Sequence, residues 1–138
     1  MQIIRIALIA CLLAGCAANL DYRAQPLSEA QAYEAIHTAA LQQKEITHPD
    51  ALYLDSRYLG FREQGEASTP SDIGERIYFN SLGPVVLYQQ RDDYLVRLQH
   101  LDGTTLRTFR LAEREQAERL VDALIHYREN APQFSGLK

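Results

Sequence analysis

The chain has 138 residues, a formal net charge of −4, 46% hydrophobic and 23% charged residues, the make-up of one ordinary globular domain. That balance excludes a nucleic-acid partner, because phosphate recognition draws on a clustered excess of Lys and Arg. Here the arginines are scattered among acids and the lysines are only Lys44 and Lys138. No run reaches the about 20 apolar residues that a mature transmembrane helix requires.

Residues 1–15 divide into a basic start at Arg5, an apolar stretch from Ile6 to Leu13, and then Ala14 and Gly15. A positive start, a short apolar core and small residues at the cut form a secretory signal. Leu13-Ala14-Gly15-Cys16 resembles the lipobox of bacterial lipoproteins at all four positions. The resemblance implies a diacylglyceryl group on the Cys16 thiol, cleavage between Gly15 and Cys16, and acylation of the freed amine. A thiolate is the strongest nucleophile the chain offers for such alkylation. Each buried acyl CH₂ contributes about 0.8 kcal/mol, and two or more chains give stable anchorage. The competing reading is a buried helix in which Cys16 is only a small apolar residue. Cys11 leaves with the signal, so the mature fold is expected to lack a disulfide. In Gram-negative bacteria an Asp after the acylated cysteine retains a lipoprotein at the inner membrane. Ala17 stands there in this chain, so the resemblance implies the outer membrane, with the domain facing the periplasm.

Residues 16–26 are expected to be the acylated cysteine and a tether, since AANLDYRAQP has no periodicity and ends in proline. The domain proper is assigned to 27–131 and a loose tail to 132–138. Ser28 and Gln31 form a capping box. Tyr33, Ile36 and Ala40, flanked by Ala32 and Ala39, then give an apolar stripe at helical spacing, suited to packing on a sheet. Thr47-His48-Pro49-Asp50 stops that helix. Short strands are expected over 52–54 and 58–62, around a turn at Asp55-Ser56. An exposed loop follows over 65–74, and then strands ERIYFN and VVLYQQ joined by a turn at SLGP. DYLVRLQHL alternates strictly and meets TLRTFRL across Asp102-Gly103, the residues of a tight hairpin. From about Ala112 to Glu129, Ala117, Leu120, Val121, Leu124 and Tyr127 recur at three- and four-residue steps. Glu115 and Arg119 are placed to pair across one turn. Asn130 and Pro132 end this helix.

The fold class is therefore α+β: an antiparallel meander sheet or partial barrel of about six strands, with an N-terminal helix and a C-terminal amphipathic helix. The absence of βαβ alternation disfavours a parallel sheet. A meander closed by one C-terminal helix resembles the pleckstrin-homology-like barrel across residues 51–129, a likeness of element order. A plain sheet with both helices on one face is the rival.

No catalytic residue, metal site or cofactor is expected. None of His37, His48, His100 and His126 sits in a ligand spacing. His37 is expected to be partly buried with a hydroxyl or backbone partner, and His126 to form a surface pair with Asp122 one turn before it. There is no nucleophile elbow. Ser56, Ser68, Ser71 and Ser81, like Asp50, Asp55, Asp92 and Asp93, fall in turns for backbone reasons. What remains is surface: Tyr53, Arg57, Tyr58 and Phe61 at the first hairpin, and Tyr88, Arg91 and Tyr94 at a later turn. Tyr and Arg combine large contact area with directed hydrogen bonds, so either hairpin is a candidate interface; full burial of Tyr58 and Tyr88 would remove the case. The expected function is a non-catalytic binding or structural module of the cell envelope. It is anchored in the membrane by acyl chains on Cys16 and meets an envelope protein or cell-wall material. The alternatives are a small-ligand or lipid carrier with a cavity between sheet and C-terminal helix, and a periplasmic hydrolase with acids in its loops.

Overall fold

A computed structural model describes residues 16–62 and 73–133. The signal segment with Gly15, most of the expected 65–74 loop with Ser68 and Ser71, and residues 134–138 of the tail lie outside the described residues.

The fold is α+β and antiparallel throughout. Strands β1 (Ala18–Asn19), β5 (Leu82–Gln90), β6 (Asp93–His100) and β7 (Thr105–Leu111) form one sheet in the order β1-β5-β6-β7. Strands β2 (Leu52–Leu54), β3 (Tyr58–Arg62) and β4 (Ile73–Tyr78) form a second, in sequence order. Helices α1 (Glu29–Leu41) and α2 (Arg114–Glu129) complete it.

The expected single meander is thus two sheets, and they do not close into a barrel. The break lies between β4 and β5. Phe79 turns fully inward at a 3₁₀ turn, Phe79–Ser81, where its amide donates to Arg57 O at 3.0 Å. The turn predicted at SLGP is displaced accordingly, and β5 runs through Gly83 and Pro84 with a register shift between Leu82 and Val85. Proline has no N–H to give to a ladder. Glycine is required beside it, because a Cβ on residue 83 would lie 2.7 Å from His100 O.

The β6–β7 hairpin follows the alternation. Val96, Leu98, Phe109 and Leu111 are buried, and Gly103 takes φ +90° in the turn while Asp102 accepts from the Thr104 amide at 2.8 Å. Helix α1 starts at the capping box, with Gln31 N donating to Ser28 Oγ at 3.2 Å and Ser28 N to Gln31 Oε1 at 3.0 Å. Its buried stripe is Ala32, Ile36, Ala39 and Ala40; Tyr33 stands off it, 47% exposed.

That stripe packs chiefly on α2, not on a sheet as expected. Small side chains let two helix axes approach closely, and Ala117 and Ala123 of α2 are fully buried as well. Helix α2 is consequently covered on two sides, which explains why Val121 and Ala123 are buried alongside the Leu120–Leu124–Tyr127 stripe. Phe79, Leu87, Val96, Leu98, Phe109, Leu120 and Leu124 belong to one core cluster, with the Phe79 and Tyr127 rings stacked at 4.9 Å.

The N-terminal segment also departs from expectation. Residues 18–25 are part of the domain rather than a free tether. Ala18 pairs with Gln89 and Asn19 with Tyr88, and Leu20 N donates to Leu87 O at 3.0 Å. A two-residue strand held through its backbone leaves no hydrophobic period to read.

Candidate functional site: a tyrosine–arginine face and an anchored N-terminal segment

In β2–β4 the side chains alternate between core and surface. Leu59, Phe61 and Ile77 turn inward. On the opposite face Tyr53, Gly60 and Arg76 form one cross-strand row, and Tyr58 with Tyr78 forms the next. The Tyr53 and Tyr58 rings stack at 5.2 Å, and Tyr58 meets Tyr78 at 5.3 Å. Gly60 makes room for them: a Cβ there would lie 2.8 Å from Ile73 Cγ2 and 3.3 Å from Tyr58 Cε2. Three guanidiniums cover the rings, Arg57 at 5.6 Å and Arg76 at 5.3 Å from the Tyr58 centroid, and Arg62 at 5.5 Å from that of Tyr53. All are within cation–π range. Tyr58 is buried beneath this cover at 8% exposure, whereas Tyr78 is 36% exposed.

Asp55 organises the hairpin. Its Oδ1 accepts from the amides of Arg57 (2.7 Å) and Tyr58 (3.1 Å), and its Oδ2 from Tyr53 Oη (2.9 Å) and Arg57 Nη2 (3.3 Å). Partial burial pushes its carboxyl upward, but these donors together outweigh it and hold the group below the usual carboxylate range. The hydrogen bond to Asp55 pushes the Tyr53 phenol up.

The second predicted cluster does not assemble. Tyr88 faces Leu95 across the ladder and Tyr94 faces Gln89, so the two rings point to opposite sides of the sheet. Tyr88 is half-buried under the Arg97 guanidinium, 4.7 Å from its centroid. Tyr94 packs against the core cluster. Arg91 stands alone on the β5–β6 turn, exposed and at φ 55°. Among the described residues, then, the first hairpin forms a Tyr/Arg face and the second does not.

Three polar side chains sit where the sequence did not place them. Asp122 is only 6% exposed, and its Oδ1 accepts from Tyr22 Oη and Gln25 N, each at 2.8 Å. The expected surface pair with His126 is replaced by this clamp on the N-terminal segment. Arg107, one of the arginines scattered among acids, has a side chain 13% exposed; it donates to Glu75 at 2.7 Å and also to Glu45, and lies 3.8 Å over the Phe61 ring. Its place on β7, two residues before buried Phe109, is the alternation signal that could have flagged it. Gln43 is buried against β7.

The His37 ring lies tilted against Tyr33 at 4.4 Å, and its buried Nε2 has no hydrogen-bond partner among the described residues, contrary to the hydroxyl or backbone partner expected. Burial pushes its pKa down. His48 occupies the position before the 3₁₀ turn Pro49–Ala51 without a side-chain cap, and His100 leans on Asp102 at 3.3 Å. No group of three His, Cys, Asp or Glu side chains among the described residues is placed to hold a metal ion. No helix among them is long and apolar enough to cross a membrane. Cys16 is exposed.

No protein-family model, curated protein or solved structure matches this chain.

Proposed function

We propose that the chain is an outer-membrane lipoprotein, held by acyl chains on Cys16, whose periplasmic domain binds an envelope partner through the outer face of β2–β4. The observation that carries the reading is the layer of Arg57, Arg62 and Arg76 over Tyr53 and Tyr58, with Tyr78 exposed beside it. Such a face offers broad contact area with directed, charged hydrogen-bond donors, the composition that dominates binding energy at protein interfaces. Asp55 is occupied within the hairpin by Tyr53 and Arg57. Among the described residues the charge left to a partner is therefore positive, and an acidic surface is its complement. The LAGC sequence at residues 13–16 supports the anchor.

The carrier alternative draws no support from the packing between α2 and the β5–β7 sheet. Phe79, Phe109, Leu87, Val96, Leu98, Leu120 and Leu124 fill that space. A recess of about 260 Å³ lies instead between the helices, lined by Glu34, Thr38, Gln116 and Arg119.

A photo-crosslinking amino acid in place of Tyr78, in the acylated protein in cells, tests the proposal. A discrete adduct with an envelope component is expected, and it should disappear when Arg62 and Arg76 are both changed to Glu. No adduct, or one indifferent to charge reversal, would overturn the reading.

A further inference from the structure

The pairing of β1 with β5 fixes where the lipid attachment point sits on the domain. Antiparallel register places Ala18 opposite Gln89 and Asn19 opposite Tyr88. The chain running back from β1 toward Cys16 therefore travels toward the β5–β6 turn. Extending the register sets Ala17 opposite Gln90 and Cys16 opposite Arg91. Ala17 alone separates Cys16 from the first paired residue, and two residues reach at most about 7 Å. Gln90 pairs with Asp93, so Arg91 and Asp92 are the whole of the turn, both exposed.

The segment behind the attachment point is also clamped. Leu20 is bonded to Leu87, and Tyr22 and Gln25 to Asp122, so the domain has little freedom to swing about its anchor. Strand β5 leads away from this end for nine residues, roughly 27 Å. Tyr78 lies near its far end, four residues before Leu82.

We infer that a phospholipid surface seats against the Arg91-Asp92 turn, and that β5 rises from it to carry the Tyr53–Tyr58–Tyr78 face away from the headgroups. The inference rests on the proposed acylation of Cys16. Charge does not impose this contact. Arg91 is offset by Asp92, and Asp93 is tied to Arg110 at 2.6 Å. The spacer length imposes it, so lipid charge should make no difference. A short, docked anchor gives the domain a defined footing and holds its partner face at a set height in the periplasm.

The sequence contains no tryptophan, so single-tryptophan variants report position cleanly. Asp92→Trp and Tyr78→Trp, each produced with its leader and reconstituted in phosphatidylcholine vesicles carrying a headgroup nitroxide, read the two ends. Emission at position 92 should fall at least twofold and emission at 78 should stay unchanged, and with Arg91→Gln added, which keeps the turn free of net charge, the result should be the same with phosphatidylglycerol present. Inserting twelve Gly/Ser residues between Cys16 and Ala17 should abolish quenching at 92 while the protein remains on the vesicles. Equal quenching at both positions, none at 92, or quenching that survives the insertion overturns the orientation when mass spectrometry shows acylated Cys16. A free thiol with no vesicle association overturns the acylation reading itself, and the orientation with it.

Discussion

The side chain of Gln43 pairs with both backbone polar groups of Arg110: Nε2 donates to Arg110 O at 3.1 Å and Oε1 accepts from Arg110 N at 3.0 Å. Strand β7 is the last of its sheet, and Gln43 occupies its open rim as one residue of a neighbouring strand would. The same Nε2 also donates to Ala39 O at 3.0 Å, joining the end of α1 to the sheet. Gln43→Leu strands two backbone groups in a buried place, and a loss of about 2–3 kcal/mol is expected in urea unfolding. Gln43→Glu should do worse at neutral pH, because a carboxylate then faces Arg110 O. Equal stability of the two variants would contradict this pairing.

Tyr22 and Asp122 fasten the N-terminal segment to α2, and Tyr22→Phe should cost about 1–2 kcal/mol. Asp122→Leu removes the acceptor for both Tyr22 and Gln25, and amide exchange across 18–25 should then accelerate while the β6–β7 hairpin stays protected. Burial, reinforced by the hydrogen bond to Asp122, pushes the Tyr22 phenol far above its ordinary pKa of 10. The folded chain keeps that proton where the unfolded chain has released it. Stability contributed by Tyr22 is therefore present below about pH 10 and declines as pH rises beyond it. Tyr22→Phe should flatten that alkaline limb.

His37 predicts the opposite limb. Burial lowers its pKa from the ordinary 6.5, so the unfolded chain takes up the proton first as pH falls. Its contribution is present above about pH 6.5 and is lost below it, levelling off once the folded state is protonated too. Because Nε2 is buried without a partner among the described residues, His37→Leu should raise stability by about 1 kcal/mol and remove the slope below pH 6.5. Asp55 and Asp102, both held below the usual carboxylate range, give a separate loss on acidification through about pH 4. Thermal denaturation across that range separates the two.

Arg107 predicts an asymmetry between substitutions. Its guanidinium bridges Glu75 and Glu45 while covering Phe61. Arg107→Ala uncovers the ring and removes the cation between two exposed carboxylates, at an expected cost of about 1–2 kcal/mol, most of it lost cover. Arg107→Met keeps the apolar cover and should cost less than half as much. Adding Glu75→Gln should recover part of the loss in either background, read by denaturant midpoints.

What was legible in the sequence was local. The bounds of β2 and β3, the Ser28–Gln31 capping box and the Asp102-Gly103 hairpin all depend on residues within a few positions of one another. Asp122 lies 100 positions from Tyr22, and Gln43 lies 67 from Arg110; no periodicity reports such partners. The two-sheet split went unread because it turns on one aromatic, Phe79, choosing the core over the ladder. Tyr53, Arg57 and Tyr58 were found because a hairpin brings them together by chain proximity. Chain proximity also groups Tyr88, Arg91 and Tyr94, but alternation across a sheet sends the two rings apart. Arg76 and Tyr78 complete the face from β4, whose register the sequence does not give, and Arg62 joins it from the far end of β3.

The brevity of β1 has a mechanical meaning. Any tug on Cys16 passes into Ala18 and Asn19 where they hang on β5, and then into Leu20 and the Tyr22–Asp122 clasp. None of this lies within the load path of β5, β6 and β7 themselves. If Cys16 carries the proposed anchor, strain on it would therefore peel the N-terminal segment first, lengthening the leash by several residues while the rest of the domain keeps its shape.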